Sequence, residues 1–176
     1  MKDWRVGLAA LVGVTVIIGT AHAITDTAFV YSAPKTGYRT LNPGDLAPGY
    51  QDSQYSMSPS TLIHGTGPCY LAGVHLPQGA KIKQVAVWYQ NKSDNLNPPH
   101  FRLYRFGLSN GVEHLVASRY MDDNSNTRKV AAAAPLESVS TVDNGHYRYT
   151  LMVCLETVGN QFYGSRITYT YTHAGD

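Results

Sequence analysis

The sequence predicts an all-β protein: two antiparallel sheets packed as a sandwich, jelly-roll-like, with one disulfide. Three observations carry that expectation. Helical periodicity is almost absent, and apolar residues alternate with polar ones over short runs. Gly, Pro, Asn and Asp punctuate those runs at regular intervals. Two cysteines, Cys69 and Cys154, stand in a chain whose first residues have the order of an export signal.

The start holds Lys2 and Arg5, then an uncharged apolar run over residues 6–19, then Thr20-Ala21-His22-Ala23 with small residues at peptidase spacing. The run is shorter than the roughly 20 residues of a membrane span. Residues 1–23 are therefore expected to be a signal peptide, with an uncleaved anchor helix as the alternative. Secreted, periplasmic and cell-surface locations all fit, with membrane contact only through that segment. In such compartments paired cysteines oxidise. The loop they close predicts roughly 4 to 5 kcal/mol of stabilisation, and two buried free thiols are the alternative.

A net charge of +2, with basic residues scattered, speaks against a nucleic-acid partner. Only 15% of the 176 residues are charged while 13 are Tyr, a composition of β-sheet surfaces and not of disorder.

The first strand is expected at residues 24–31. Residues 32–60 hold Pro34, Pro43, Pro48 and Pro59 with Gly37, Gly44 and Gly49, which predicts an irregular Tyr-rich arm. Residues 24–60 thus form a strand and arm ahead of a sandwich domain at 61–176. Strands follow at 69–76, 82–90, 100–106, 114–120, 147–156 and 161–172. Turns fall at Pro77-Gln78-Gly79-Ala80, at Asn110-Gly111, a tight-hairpin signal, and at Asp143-Asn144-Gly145. Residues 130–136, with four alanines before Pro135, predict a loop or edge strand. In 147–156 the residues Tyr147, Tyr149, Leu151, Val153 and Leu155 share one face. In 161–172 Tyr163, Ile167, Tyr169 and Tyr171 share a face opposite Arg166, Thr168, Thr170 and Thr172. An immunoglobulin-like sandwich also fits this count of strands, but Cys154 lies too far beyond Trp88 for its Cys-Trp-Cys frame.

The turn Leu76-Pro77-Gln78-Gly79-Ala80, the strand Leu103-Tyr104-Arg105 and the closing Tyr163-Gly164-Ser165-Arg166-Ile167-Thr168-Tyr169 resemble segments of uncharacterised bacterial exported β-sandwich proteins. The resemblance spans about residues 69–172. It implies fold and compartment and no named activity.

Candidate chemistry is thin. Asp122, Asn124 and Asn126 have the spacing of a calcium loop, but Thr127 stands where its Gly belongs and no closing Glu follows. Asx-rich turns serve the backbone equally well. Asp94, Asn95 and Asn97 form a weaker version. His64, His75, His100, His114, His146 and His173 lack zinc spacing, which predicts surface or strand-edge positions. Nothing matches a nucleophile elbow. Glu113, Glu137 and Glu156 are the scattered carboxylates from which a glycosidase pair would be drawn. Asn91-Lys92-Ser93 is a sequon.

The aromatics Trp88, Tyr89, Tyr104 and Tyr120, with Tyr38, Tyr50 and Tyr55 from the arm, offer a platform for sugar rings or simply fill the core. The expected function is a non-catalytic exported structural or assembly protein, such as a surface or filament subunit, partnered by copies of itself or a surface polymer. The alternative is a carbohydrate- or surface-ligand-binding module, with a small hydrolase third. No cofactor is expected beyond the calcium reading.

Overall fold

The computed structural model describes residues 29–51, 53–66, 69–92 and 98–174. The signal peptide expected at 1–23, most of the strand expected at 24–31, and Asp94, Asn95 and Asn97 lie outside the described residues.

Among the described residues, eleven strands make two sheets. One contains β1 (Phe29–Leu41), β3 (Gln54–Ser58), β4 (Thr61–Thr66), β6 (Lys81–Gln90), β9 (Lys129–Ala133) and β11 (Gln161–Ala174). Its order is β3-β4-β11-β6-β9, with β1 lying along β11 on the side it shares with β4. The other contains β2 (Ala47–Pro48), β5 (Cys69–Val74), β7 (His100–Gly107), β8 (Glu113–Tyr120) and β10 (Tyr147–Cys154), in the order β2-β5-β10-β7-β8. Every ladder between these strands is antiparallel. From β5 onward most connections cross from one sheet to the other, as in a jelly roll. No α-helix occurs among the described residues, so none there is long and apolar enough to cross a membrane.

Alternation builds the core. In β10, Tyr149, Leu151 and Val153 are buried while Arg148 is exposed. They meet Ile82, Val85 and Val87 of β6 and Phe162 and Ile167 of β11 in one cluster. Each such side chain contributes about 2 kcal/mol by leaving water. The Pro77–Ala80 turn places Gly79 at φ +73°, where glycine alone is unstrained, and the Ala80 N–H donates to the Pro77 carbonyl at 3.1 Å.

Four features differ from the sequence reading. Residues 32–60 are not an irregular arm: β1 runs through them to Leu41, and β2 and β3 follow. Val30 and Tyr38 are exposed on β1, so this edge strand has no apolar alternation to announce it. Second, Tyr163 lies opposite the face of Ile167. The β11 register shifts between Phe162 and Gly164, so Phe162 takes the core position. Third, Asn110-Gly111 does not close a two-residue hairpin. The Gly107 N–H donates to Val112 and the Gly111 N–H to Gly107, making a wider loop. Fourth, His64 is neither surface nor edge. It is 4% exposed, with Nδ1 hydrogen-bonded to the Tyr70 hydroxyl at 3.1 Å. Residues 129–133 resolve the other open reading as an edge strand, β9.

Cys69 and Cys154 are bonded, with Cα atoms 3.9 Å apart. The general range for disulfides, roughly 5 to 6 Å, does not apply here. The two residues face each other directly across the β5–β10 ladder, where opposed Cα atoms already approach closely.

Candidate functional site

The outer face of the five-stranded sheet holds the candidate site. Its centre is β7, His100-Phe101-Arg102-Leu103-Tyr104-Arg105-Phe106. Phe101 and Leu103 are wholly buried, so His100, Arg102, Tyr104 and Phe106 point the other way. On β8 the register breaks: Leu103 faces Ala117 but Tyr104 faces Leu115, leaving Val116 as an extra residue. Such a bulge bends its strand. Beside it lies a trough of about 420 Å³, lined by Arg102, Tyr104, Glu113, Leu115, Ser118 and Tyr120 among others.

Tyr120 is the open ring, 57% exposed. It stands edge-on to the His100 imidazole at 5.7 Å between centres. His100 Nδ1 in turn lies 3.5 Å from Glu156 Oε1. Burial first, and the Arg102 charge second, push the His100 pKa below its ordinary value, against the pull of Glu156. Glu156 follows the disulfide and has a left-handed backbone, φ +56°. Cross-strand disulfide, carboxylate, imidazole and phenol therefore succeed one another from β5 to β8.

Along β7 the Arg102 guanidinium donates to the Tyr104 hydroxyl at 3.2 Å. Tyr104 leans on Phe106 at 5.8 Å, and the Arg148 guanidinium covers Phe106 at 5.4 Å. On the far side of this ridge a second hollow, about 520 Å³, runs over Gly73 and Thr150. The face thus carries a line of rings between two open hollows, with Tyr104 nearly buried at 8% exposure and Tyr120 the ring left widely open, beside hydroxyls, guanidinium donors and the Glu113 carboxylate.

Of the residues chosen from sequence, Tyr104 and Tyr120 come together here. Trp88 and Tyr89 are consecutive on β6 and so point to opposite faces. Tyr89 is 2% exposed inside the core, which removes it from any platform, and Trp88 is on the outside of the other sheet. There the Arg166 guanidinium lies between Trp88 and Tyr38. Tyr50 is exposed apart from these, and Tyr55 stands edge-on to Tyr70.

Asp122, Asn124 and Asn126 are exposed, and two main-chain groups of their loop tie it to the end of β6 and the residue after it. The Asn126 carbonyl accepts from Gln90 Nε2, and the Ser125 N–H donates to Asn91. The only cluster of three Asp, Glu, His or Cys ligand atoms among the described residues is Cys69, Cys154 and Glu156, where both sulfurs are spent on each other. The carboxylates do not form a hydrolytic pair. Glu113 faces Phe106 and Glu156 adjoins His100, about 20 Å apart along β7. Glu137 is bound to Lys81 elsewhere.

Arg102 was not picked as a site residue from the sequence, and His100, Glu113 and Glu156 were weighed there only for zinc or hydrolysis, not for this face. The one available signal was the outward-facing set in 100–106, which carries two rings, an imidazole and a guanidinium where solvent-facing strands usually carry simple polar residues.

No family model matches the chain, and no curated protein matches it in sequence. Among solved structures it is similar to the C-terminal CBM6 of LamC, a laminarinase from Zobellia galactanivorans, at 12% identity and TM-score 0.47, over 75% of this chain and 99% of that one. The xylan-binding module CBM15 gives 9% identity and TM-score 0.49, over 81% and 99%. The CBM22-1–GH10 modules of the Clostridium thermocellum xylanase 10B, complexed with xylohexaose, give 11% and 0.46, over 77% and 28%. Likenesses this distant are silent on what this chain binds.

Proposed function

We propose that this chain is a non-catalytic, exported binding module that holds a carbohydrate on the outer face of the β2-β5-β10-β7-β8 sheet. The observation that carries the reading is the Tyr120 ring, open to solvent yet fixed by His100, beside Arg102, Tyr104 and Glu113 in one trough. A sugar ring needs a flat apolar surface for its C–H face and donors and acceptors for its hydroxyls. The trough supplies both on a rigid sheet. The disulfide supports an oxidising compartment outside the cytoplasm.

Affinity electrophoresis against a panel of neutral polysaccharides tests the reading. Wild-type protein is expected to be retarded by at least one. Tyr120→Ala and Arg102→Ala are expected to weaken retention about fivefold to tenfold, a loss of roughly 1 to 1.4 kcal/mol each, with unchanged melting temperature. A wild-type protein that no polysaccharide in the panel retards sinks the proposal.

The assembly reading has one observation of its own: β1 is a 13-residue edge strand whose outer side pairs with no other strand among the described residues. That edge carries Pro34, Lys35 and a register break between Val30 and Lys35, which are features that hinder strand addition. Sedimentation at high concentration decides this second reading, since a monomer excludes it.

A further inference from the structure

We infer that the outer face of the six-stranded sheet is a second, separate binding surface, and that its ligand is an acidic polysaccharide bearing carboxylates. The face lies on the opposite side of the sandwich from the Tyr120 trough and does not depend on it.

The first observation is a band of alternating rings and guanidinium groups. The Arg128 guanidinium lies 4.0 Å from the centre of the Tyr163 ring. The Arg166 guanidinium lies 5.5 Å from Trp88 and 5.3 Å from Tyr38. Register puts these groups on one face. Trp88 is opposite Gly164, Arg166 is opposite both Ala86 and Thr40, and Tyr38 is opposite Thr168. The shift in β11 after Phe162 turns Tyr163 outward to join them, where its hydroxyl is 2.9 Å from Gln90 Oε1. Ala86 and Ala132 keep the middle of the face low.

The second observation is charge. The six strands of this sheet contain no Asp or Glu; Lys81, Lys83 and Arg166 lie on the outer face, whereas Lys35, Arg39 and Lys129 are opposite Tyr171, Ile167 and Tyr89 and so belong to the inner side. Loop carboxylates neutralise Lys81, through Glu137, and Lys129, through Asp123. Arg128 and Arg166 are exposed and form no ion pair among the described residues. A guanidinium stacked on a ring keeps its N–H edges free in a fixed plane, the geometry that takes a carboxylate with two hydrogen bonds.

The ligand follows from these two facts together. Charge without rings would suit any polyanion; rings without charge would suit a neutral glycan. Rings set between arginines suit a chain whose repeating units offer both a C–H face and a carboxylate. Nucleic acid is disfavoured, because only two unpaired arginines lie in the band and phosphate binding draws on many cations at once.

The test uses the full chain with polygalacturonate as probe, by affinity electrophoresis at low and moderate salt. Wild-type protein is expected to bind, more weakly as salt rises. Arg166→Ala is expected to lower affinity at least fivefold, and Arg166→Lys to restore little of it, because lysine keeps the charge and loses the fork. Tyr38→Ala, a change at a 60% exposed ring that leaves the core untouched, is expected to weaken binding as well. Tyr120→Ala is expected to change nothing. Saturating neutral polysaccharide in the trough is likewise expected to leave polygalacturonate binding intact, so each surface stands or falls alone. Absence of polygalacturonate binding overturns the inference. So does full rescue by Arg166→Lys, or equally tight binding of single-stranded DNA or anionic vesicles, since each would reduce the effect to charge alone.

Discussion

Glu156 reaches back from a left-handed backbone to place its Oε1 3.5 Å from the Nδ1 of His100, joining the end of β10 to the start of β7. The carboxylate favours the imidazolium, while burial and Arg102 oppose it more strongly. Glu156→Gln should therefore lower the His100 pKa further. An NMR titration of the imidazole that shows no change, or a rise, would contradict this pairing.

The φ of +56° at Glu156 costs a residue with a Cβ about 1 kcal/mol. Glu156→Gly and Glu156→Ala both remove the carboxylate, but only glycine relaxes the backbone. The glycine variant is expected to be the more stable by about 1 kcal/mol in urea denaturation. Equal stabilities would show that the strain is not there.

Acid should destabilise the fold before its carboxylates titrate. His64 and His100 both have folded pKa values pushed below the ordinary 6.5, chiefly by burial. Below pH 6.5 the unfolded chain therefore binds protons that the folded chain resists, so stability is full above that pH and is lost as pH falls through the window beneath it. Denaturation midpoints at about pH 7.5 and about pH 5 measure the difference. A midpoint that does not fall between them contradicts the assignment.

Reducing the Cys69–Cys154 bond, which spans 85 residues, should cost roughly 4 to 5 kcal/mol through the freed chain alone. Thermal unfolding with and without reductant measures it. The trough should loosen with it, since the bond anchors the segment that carries Glu156.

Gly164 has φ +153°, and a Cβ added there would lie 3.2 Å from the Leu41 carbonyl. Gly164→Ala combines backbone strain with a collision against β1, for about 2 to 3 kcal/mol. Its second expected effect is a change in Tyr163 fluorescence, because the same shift in β11 turns that ring outward.

The six strands expected from residue 69 onward all form, and their ends differ by at most two residues from those read in the sequence. Most of their length turns large apolar residues to one side, so alternation is visible in one dimension, though Val85–Val87 of β6 and Leu103–Tyr104 of β7 are buried in succession. β1 was hidden because both its neighbours and its composition differ: Pro34 and Gly37 interrupt it, and its exposed edge leaves Val30 and Tyr38 in solvent. Tyr163 was misplaced because a one-residue shift inverts a strand's faces without altering its composition. The trough was hidden for a related reason. Tyr104 and Tyr120 can be picked by type, but that His100 stands between Tyr120 and Glu156 depends on pairings among β7, β8 and β10 that no local pattern contains.

The enclosure of Asn91 bears on how the protein can be produced. Its side chain is 0% exposed, and Nδ2 donates to the Met121 carbonyl at 3.1 Å. Yet Asn91-Lys92-Ser93 is an acceptor sequence for N-linked glycans, which a eukaryotic secretory host attaches while the chain is still unfolded. A sugar there would have to be driven into the interior, so glycosylated molecules would be retained and degraded. Ser93→Ala, which abolishes the acceptor without touching Asn91, should restore yield in such a host.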